Sequence, residues 1–289
     1  MPGRGAARHH VNGGAGRRRG HAPPADRPRP VRRRAPDRSD LGGDQVEGRQ
    51  AVRELLAAGK RPVREVWISE GLDPSPQIDD IERLAVRRRV RVLSVPRRKL
   101  EMAARTDSAQ GVLARAQPLD EADLDDLCRT TPGGAPFLVV LDGVTDPHNL
   151  GALLRTAEAA GVTGVVVPRH RAAHVTPTVA KVAAGAIEHL PIAVVPGIPN
   201  ALRRMDALGV TSVGLVTDAP VSLYELGPEV LGPAALVLGA EGKGLASLTR
   251  RRCQVAATIP QFGVLDSLNV AAAGAVACFE LARRRAAGA

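Results

Sequence analysis

Residues 137–143 read FLVVLDG, and the pattern that starts with them decides the fold. A near-continuous apolar run of this length is typical of a strand that is covered on both faces. Further strands are predicted at 164–168, 192–195, 211–217, 235–239 and 255–259, and helices at 149–160, 178–186, 198–207 and 267–285. This alternation predicts an α/β fold with a parallel sheet, helices on both faces, and ligands at the carboxyl ends of the strands.

A smaller α/β unit is predicted before this sheet, at residues 44–117. Its segments are a helix in EGRQAVRELLAAGK that Gly59 closes, a helix at 77–89, and strands at 63–69, 90–95 and 110–116. Trp67 lies in an apparent core strand and is expected to be structural. Residues 118–135 are acidic and then rich in proline and glycine, which predicts a short helix and a linker. The large sheet is therefore expected in a domain at 136–289.

Residues 1–43 are predicted to be a disordered, arginine-rich tail. Within residues 1–40, six glycines and six prolines leave too little apolar surface to offset the entropy of ordering. Eleven arginines and three aspartates in the same stretch carry +8 of the chain's formal +10. The runs at 17–19 and 32–34 would attract polyanions such as nucleic acid, and a purely solubilising tail is the alternative.

Composition excludes several classes of protein. Hydrophobic residues make up 44% of the 289, which is enough for a core. No apolar run approaches the ~20 residues of a transmembrane helix, and no secretory signal is predicted. Three cysteines without a C-x-x-C motif, and histidines without ligand spacing, predict neither disulfides nor a metal site. The chain is therefore expected in the reducing cytoplasm.

Three clusters follow strand ends in the large domain. The first, DGVTDPHNLGALLRTAEAAG at 142–161, has Asn149 as a candidate helix cap, and it sets Arg155 and Glu158 opposite the apolar side. A surface ion pair at i,i+3 is the alternative reading of these two side chains.

The second cluster is LVLGAEGKGL at 236–245, where an apolar strand breaks into glycines around Glu241 and Lys243. It lacks the spacing of a Walker A loop, so the glycines indicate a tight turn or close backbone approach to a ligand. The third cluster, IPQFGVLDSLNVAAAGAVACFEL at 259–281, opens the closing helix, with Asp266 or Ser267 as the expected cap.

The three clusters contain, in order, the motifs N-x-G-A-L-x-R-T-A-E, L-G-x-E-G-x-G-L and I-P…S-L-N-V. This succession of motifs resembles the SpoU family of RNA ribose 2′-O-methyltransferases in the SPOUT superfamily. The resemblance spans about 137–285 and implies a knotted (trefoil) parallel-sheet methyltransferase domain. Residues 47–117 also look like the small RNA-binding domain that accompanies the bacterial 23S rRNA guanosine 2′-O-methyltransferase branch. The resemblance therefore implies methylation of a guanosine ribose in 23S rRNA.

The same resemblance implies S-adenosyl-L-methionine as cofactor, bent in the knot and held mostly by main-chain groups. The matching positions are Leu238, Gly239, Gly242, Ile259, Leu268 and Asn269. Ser267 and Asn269 would place polar side chains beside the methyl donor. The chain departs from the family pattern at Gln261, Asp266 and Ala271, which bears on cofactor affinity.

For catalysis, the resemblance assigns the polar positions of the first motif to Asn149, Arg155 and Glu158, with Arg155 as the catalytic arginine. A guanidinium is almost never neutral, so Arg155 is expected to hold the ribose hydroxyl or a phosphate and to stabilise alkoxide charge. Glu241 is expected to orient loop backbone or a partner arginine. The resemblance implies no metal. It does imply a homodimer that forms through the closing helix.

Only five aromatic residues stand in the chain, so RNA affinity is expected from arginine contacts to phosphates. Candidates are the tail, 87–89 and 97–99, each of which could equally be a solvated face. Two alternatives remain open, namely a tRNA methyltransferase of the same family and a catalytically silent RNA-binding protein. A nicotinamide-binding fold is excluded because no predicted strand is followed by G-x-G-x-x-G.

Overall fold

The computed structural model describes residues 41–170, 172, 174–265 and 267–287. Residues 1–40 of the tail expected at 1–43, and the candidate cap Asp266, lie outside the described residues. Leu41 is buried, and the Gly42 N–H donates to the Val175 carbonyl at 2.8 Å. Packing therefore includes residues 41–43, which corrects the expected end of the tail.

Residues 45–116 form a four-stranded module. Its strands are β1 (Gln45–Glu47), β2 (Val63–Ser69), β3 (Arg91–Val95) and β4 (Val112–Ala116), in the order β1-β4-β2-β3. Only β2 and β3 run parallel. The helices α1 (Arg49–Ala58) and α2 (Pro76–Arg88) pack on one sheet face, and α3 (Arg97–Ala103) packs on part of the other. The predicted elements are confirmed here, whereas β1 and α3 were not predicted.

Residues 137–287 form a seven-stranded module, which the short helix α4 (Leu124–Leu127) precedes. Its strands are β5 (Phe137–Asp142), β6 (Gly164–Pro168), β7 (Ile192–Val195), β8 (Thr211–Leu215), β9 (Val221–Ser222), β10 (Ala234–Gly239) and β11 (Val255–Thr258). Its helices are α5 (Pro147–Ala159), α6 (Pro177–Val182), α7 (Ile198–Ala207), α8 (Ser247–Arg252) and α9 (Val270–Ala287). The order is β7-β6-β5-β10-β8-β11-β9 and every pair is parallel, which confirms the predicted parallel sheet.

Two apolar layers cover this sheet and explain its continuous apolar strands. On one face, Phe137, Val139 and Leu141 of β5 pack with α5, α6 and α9. On the other face, Leu138 and Val140 pack with α7 and the residues around α4. Since alternate side chains point to opposite faces, every side chain of a strand that is buried on both sides faces an apolar layer, and the strand is apolar throughout.

Several helix boundaries differ from the predicted ones because capping side chains fix them. Asp146, rather than Asn149, caps α5 and accepts from the Asn149 N–H at 2.8 Å. The closing helix begins at Val270, and the Asn269 Oδ1 accepts from the backbone N–H groups of Ala271 and Ala272, so Ser267 is not its cap. The helix predicted at 178–186 ends at Val182, and a 3₁₀ turn follows at 186–188.

A buried ion pair joins the two modules. The Arg61 guanidinium donates from Nη2 and Nε to the two Glu188 oxygens at 2.6 and 3.1 Å, and also to the carbonyls of Gly43 and Gln117. Both side chains are at most 3% exposed. At the edge of this contact the His189 ring lies 2.9 Å from a Glu54 oxygen. The four-stranded module is thus held against the residues that follow α6.

The cysteines Cys128, Cys253 and Cys278 are free. Burial raises the pKa of the Cys278 thiol to about 12, which favours the protonated thiol at neutral pH. In the part of the chain that the structure describes, no helix is long and apolar enough to cross a membrane.

Candidate cofactor and catalytic site

The loop at 240–244 is a tight turn at the carboxyl end of β10. The Ala240 N–H donates to the Gly244 carbonyl at 3.0 Å, and the Gly244 N–H donates back to Ala240 at 2.8 Å. Gly242 and Gly244 both have positive φ, at 72° and 62°, which L side chains rarely adopt. The glycines of the second cluster are therefore required by the turn itself.

Gly239 lets this loop fold back onto its own strand. A Cβ at position 239 would overlap the Gly244 carbonyl group and the Leu245 nitrogen, which are backbone atoms that cannot rotate away. Asp142 fixes the other end of the loop, because its Oδ2 accepts from the Ala246 N–H at 2.9 Å. Asp142 and Gly239 are register partners on β5 and β10, so the two strand ends share one level.

A pocket of about 400 Å³ opens beside this loop. Its wall includes five of the six positions expected to bind the cofactor, namely Leu238, Gly239, Gly242, Ile259 and Leu268. Ser267 and Gln261 also line it. The volume lies within the ~300–1,000 Å³ that is usual for small-molecule sites. Asn269, the remaining position, does not line this pocket and is bonded at its edge.

The three clusters meet in a hydrogen-bonded network of three side chains. The Asn149 Nδ2 donates to Glu241 Oε2 at 3.0 Å, and the Asn269 Nδ2 donates to Asn149 Oδ1 at 3.0 Å and to Glu241 Oε1 at 3.3 Å. Each residue comes from a different cluster. Glu241 thus accepts from both asparagine amides instead of orienting loop backbone, and it ties the turn to the starts of α5 and α9.

A second pocket, of about 460 Å³, lies on the Asn149 side of the same loop. It shares Glu241 and Lys243 with the first pocket and adds the carboxylates of Asp142 and Asp146. The loop therefore separates two adjoining spaces, and Asp142 and Asp146 belong only to the second.

Arg155 and Glu158 stand apart from this network. Both are exposed on α5, and neither lines the two pockets. Among the ion pairs between described residues none joins the two, so the surface ion pair considered for them does not form. Arg155 is six residues beyond Asn149 on one helix, a rise of roughly 9 Å along its axis.

Two residues of the site were missed by sequence reasoning. Asp142 could have been found, because a carboxylate that ends a buried strand is a usable signal. Asp218 lines the first pocket and pairs with Arg250 at 2.9 Å, and this hydrogen bond lowers the pKa of the Asp218 carboxyl. Nothing local marks that pair, since the two residues are far apart in sequence.

Comparison with known proteins agrees with this geometry. Residues 136–279 match the family model described as SpoU rRNA Methylase family, and residues 45–130 match RNA 2′-O ribose methyltransferase substrate binding. The 23S rRNA (guanosine-2′-O-)-methyltransferase RlmB of Pseudomonas syringae pv. tomato is 40% identical over 248 residues, which are 84% of this chain and 97% of that protein.

Solved structures give the same result for the fold. The AdoMet-bound rRNA methyltransferase of Sinorhizobium meliloti is 28% identical with a TM-score of 0.67, covering 83% of this chain and 87% of that one. The SpoU methyltransferase AviRb of Streptomyces viridochromogenes, at 24% identity and a TM-score of 0.70, shares the fold over 84% of this chain and 91% of its own. The motifs, the parallel sheet and these matches together show that the chain belongs to the SpoU rRNA methylase family.

Proposed function

We propose that the protein transfers a methyl group from S-adenosylmethionine to a ribose 2′-hydroxyl, that of a guanosine in 23S rRNA. The observation that carries this proposal is the meeting of three clusters beside one pocket. Asn149, Glu241 and Asn269, which are up to 120 residues apart, are bonded together where the glycine loop borders that pocket. A silent RNA-binding protein has no need for such a pocket and network.

The pocket residues fit the cofactor. Leu238, Ile259 and Leu268 supply apolar walls for an adenine. At the glycines of the 239–244 loop no side chain covers the backbone, so a ligand can approach the main-chain groups there. When bound, the sulfonium group would supply an already activated methyl group, so the protein need only position the acceptor oxygen. The Asn149–Glu241–Asn269 network would hold the loop in place for that purpose. The trefoil knot that the family resemblance implies belongs to this proposal.

Arg155 is assigned to the RNA. Its exposed guanidinium can donate to a phosphate or to the developing alkoxide of the ribose. Glu158, one turn further along the same exposed side, is assigned to orienting that contact. Ser267 at the pocket rim remains available to the cofactor.

The role of Arg155 is tested by Arg155→Lys and Arg155→Ala. We expect both variants to bind S-adenosylmethionine as the wild type does, since Arg155 does not line its pocket, and to lose more than tenfold in kcat. Calorimetric titration and transfer of a labelled methyl group to unmodified 23S rRNA measure the two quantities. Near-full turnover of Arg155→Lys would show that the planar, bidentate geometry of arginine is not needed.

The substrate is proposed from the relatives, which are named for the guanosine of 23S rRNA and which match this chain over both modules. Mapping of ribose methylation on total RNA, with and without the gene, tests it. Loss of one mark in 23S rRNA is the expected result. A mark lost from tRNA would favour the tRNA alternative, and intact marks throughout would favour the silent RNA-binding protein.

A homodimer is part of the proposal. The loop after β11 exposes Phe262, Val264 and Leu265, and α9 exposes Phe279, which together leave apolar surface beside the cofactor pocket. Burial of such surface in a second copy would remove it from water. We expect a dimeric molar mass in light scattering and a monomeric mass for Phe279→Arg. A monomeric wild type at micromolar concentration would contradict this part of the proposal.

A further inference from the structure

The second face of the four-stranded module is only partly covered, and the chain's single tryptophan lies on it. Both α1 and α2 pack on the opposite face. Trp67 lies between its register partners Leu93 on β3 and Leu113 on β4, and α3 covers only the end of this face. Trp67 is partly buried against the apolar cluster of Val95, Leu100 and Leu113, as expected of a structural residue, and it remains partly exposed.

Two cations lie over the Trp67 ring. The Lys99 Nζ is 5.1 Å and the Arg115 Cζ is 5.6 Å from the ring centroid. Distances of this size allow cation–π attraction, which holds long side chains in place without neutralising them. The indole therefore orders two positive charges at the surface of the module.

A row of charged residues continues the same surface. Arg91 on β3 and Arg115 on β4 are both register partners of Glu65 on β2, so the three side chains share the face of Trp67. The Glu65 Oε1 accepts from the indole N–H at 2.8 Å. None of the ion pairs between described residues includes Arg91, Lys99 or Arg115. Three cations thus surround one carboxylate that the indole already engages, and Arg115 also lies within Coulombic range of the Asp44 carboxylate.

We propose that this surface, the Trp67 face (Glu65, Trp67, Arg91, Lys99 and Arg115), is where the four-stranded module binds the phosphate backbone of the rRNA substrate. The inference rests on the proposed function, which identifies the polyanion as rRNA. Charge complementarity favours RNA, because the three ordered cations outnumber the one carboxylate of this face, and the excess positive charge suits a phosphate backbone.

Because Trp67 is the only tryptophan, its fluorescence reports directly on this face. The experiment titrates the full-length protein with unmodified transcripts of 23S rRNA fragments, and it follows both Trp67 emission and retention of labelled RNA on a filter. We expect emission to change along the same curve as RNA retention. Lys99→Gln and Arg115→Gln should each weaken binding about tenfold and lower the salt slope by about one, since each loses a phosphate contact.

Arg83→Gln is the matched control. Arg83 is an exposed cation of the same module, but it lies on α2, over the opposite sheet face, and is already paired with Asp80. We expect its RNA affinity to stay within twofold of the wild type. Circular dichroism of all three variants checks that the module is folded.

The outcomes separate this inference from the proposed function. RNA retention without a change in Trp67 emission, and with wild-type affinity of Lys99→Gln and Arg115→Gln, would overturn the Trp67 face but leave the methyltransferase intact. Trp67 emission that changes with protein concentration alone would identify the face as a self-association surface, and would overturn it too. Binding of S-adenosylmethionine without retention of any 23S rRNA fragment would overturn both the face and the proposed substrate.

Discussion

At the scale of single residues, a missing Cβ decides how the site is built. Gly239 ends a fully buried strand at the point where the next residues turn back, and only hydrogen atoms fit between the two backbone segments. Glycine costs conformational entropy in a strand, so its place here reflects the close approach rather than strand stability. The tight turn that follows places Glu241 within hydrogen-bond distance of Asn149 and Asn269.

Gly239→Ala tests this directly. The added methyl group would overlap the Gly244 carbonyl group, so the 240–244 loop must shift and the cofactor pocket must change shape. We expect the Kd for S-adenosylmethionine to rise at least tenfold, or about 1.4 kcal/mol, with unfolding destabilised by about 1–3 kcal/mol as in overpacked cores. Calorimetric titration and urea unfolding measure the two effects.

Gly232→Ala is the control for this variant. Gly232 lies in the loop before β10, and a Cβ there would meet no atom within 4 Å and no unfavourable φ. We expect cofactor affinity and stability close to those of the wild type. Equal losses in the two variants would show that the loops tolerate no substitution, and that the close approach at Gly239 is not the cause.

At the scale of elements, α9 connects the core to the site through its first turn. Its interior packs against α5 so closely that a Cβ on Gly274 would overlap Leu153. Its start is set by Asn269, whose Oδ1 caps the helix while its Nδ2 reaches Asn149 and Glu241. One side chain thus performs a structural and a site-forming task with different atoms.

Asn269→Asp separates these two tasks. The aspartate keeps an oxygen for the cap, but it loses the amide donor and places a carboxylate beside Glu241. We expect the free energy of unfolding to change by no more than about 1 kcal/mol, because both residues are good N-caps. Methyl transfer should fall more than tenfold. Asn269→Ala serves as the comparison, since it should also lose about 0.5–2 kcal/mol with the cap.

The measurements are urea unfolding and single-turnover methyl transfer. Full activity of Asn269→Asp would show that the bond from Asn269 to the other two clusters has no role in the reaction.

At the scale of the whole molecule, the two modules are joined by a buried charge pair instead of by linker residues alone. Arg61 fills its donors with Glu188 and two backbone carbonyls, so the contact fixes an orientation as well as a distance. Burial raises the pKa of the Glu188 carboxyl, and the Arg61 guanidinium opposes that shift. Removal of one partner leaves a buried charge, whereas removal of both leaves a gap that apolar groups can fill.

Arg61→Gln is therefore expected to cost about 3–5 kcal/mol of unfolding free energy at pH 8. With the guanidinium absent, Glu188 should bind a proton in the folded state at a pH where the unfolded chain does not. Since the folded state then holds more protons, stability falls as pH rises, and the loss should be smaller at pH 5. Urea unfolding at both pH values measures this. Arg61→Met combined with Glu188→Leu should recover most of the loss, and failure to do so would assign it to other contacts.

Most elements could be predicted from the sequence because their signals are local. The apolar runs of β5, β6, β7 and β10, and the apolar spacing of α1, are confirmed within one or two residues. The short elements β1, β9, α3 and α8 were not predicted, since segments this brief carry no periodicity and form only against neighbours. The cap of α9 was wrong for a related reason. Three short polar residues precede the helix, and only the tertiary structure shows that Asn269 is the one whose side chain caps it.

The sequence by itself determined the parallel sheet, the glycine-broken strand end at 239–244 and the polar residues of the three clusters, because backbone conformation and burial depend on neighbours in the chain. Only the tertiary structure decided that Asn149, Glu241 and Asn269 bond to one another while Arg155 and Glu158 stay outside on α5. That outcome depends on β10 pairing with β5 so that Gly239 meets Asp142. Strand order and register are set by packing of the whole core, which no short stretch of sequence contains.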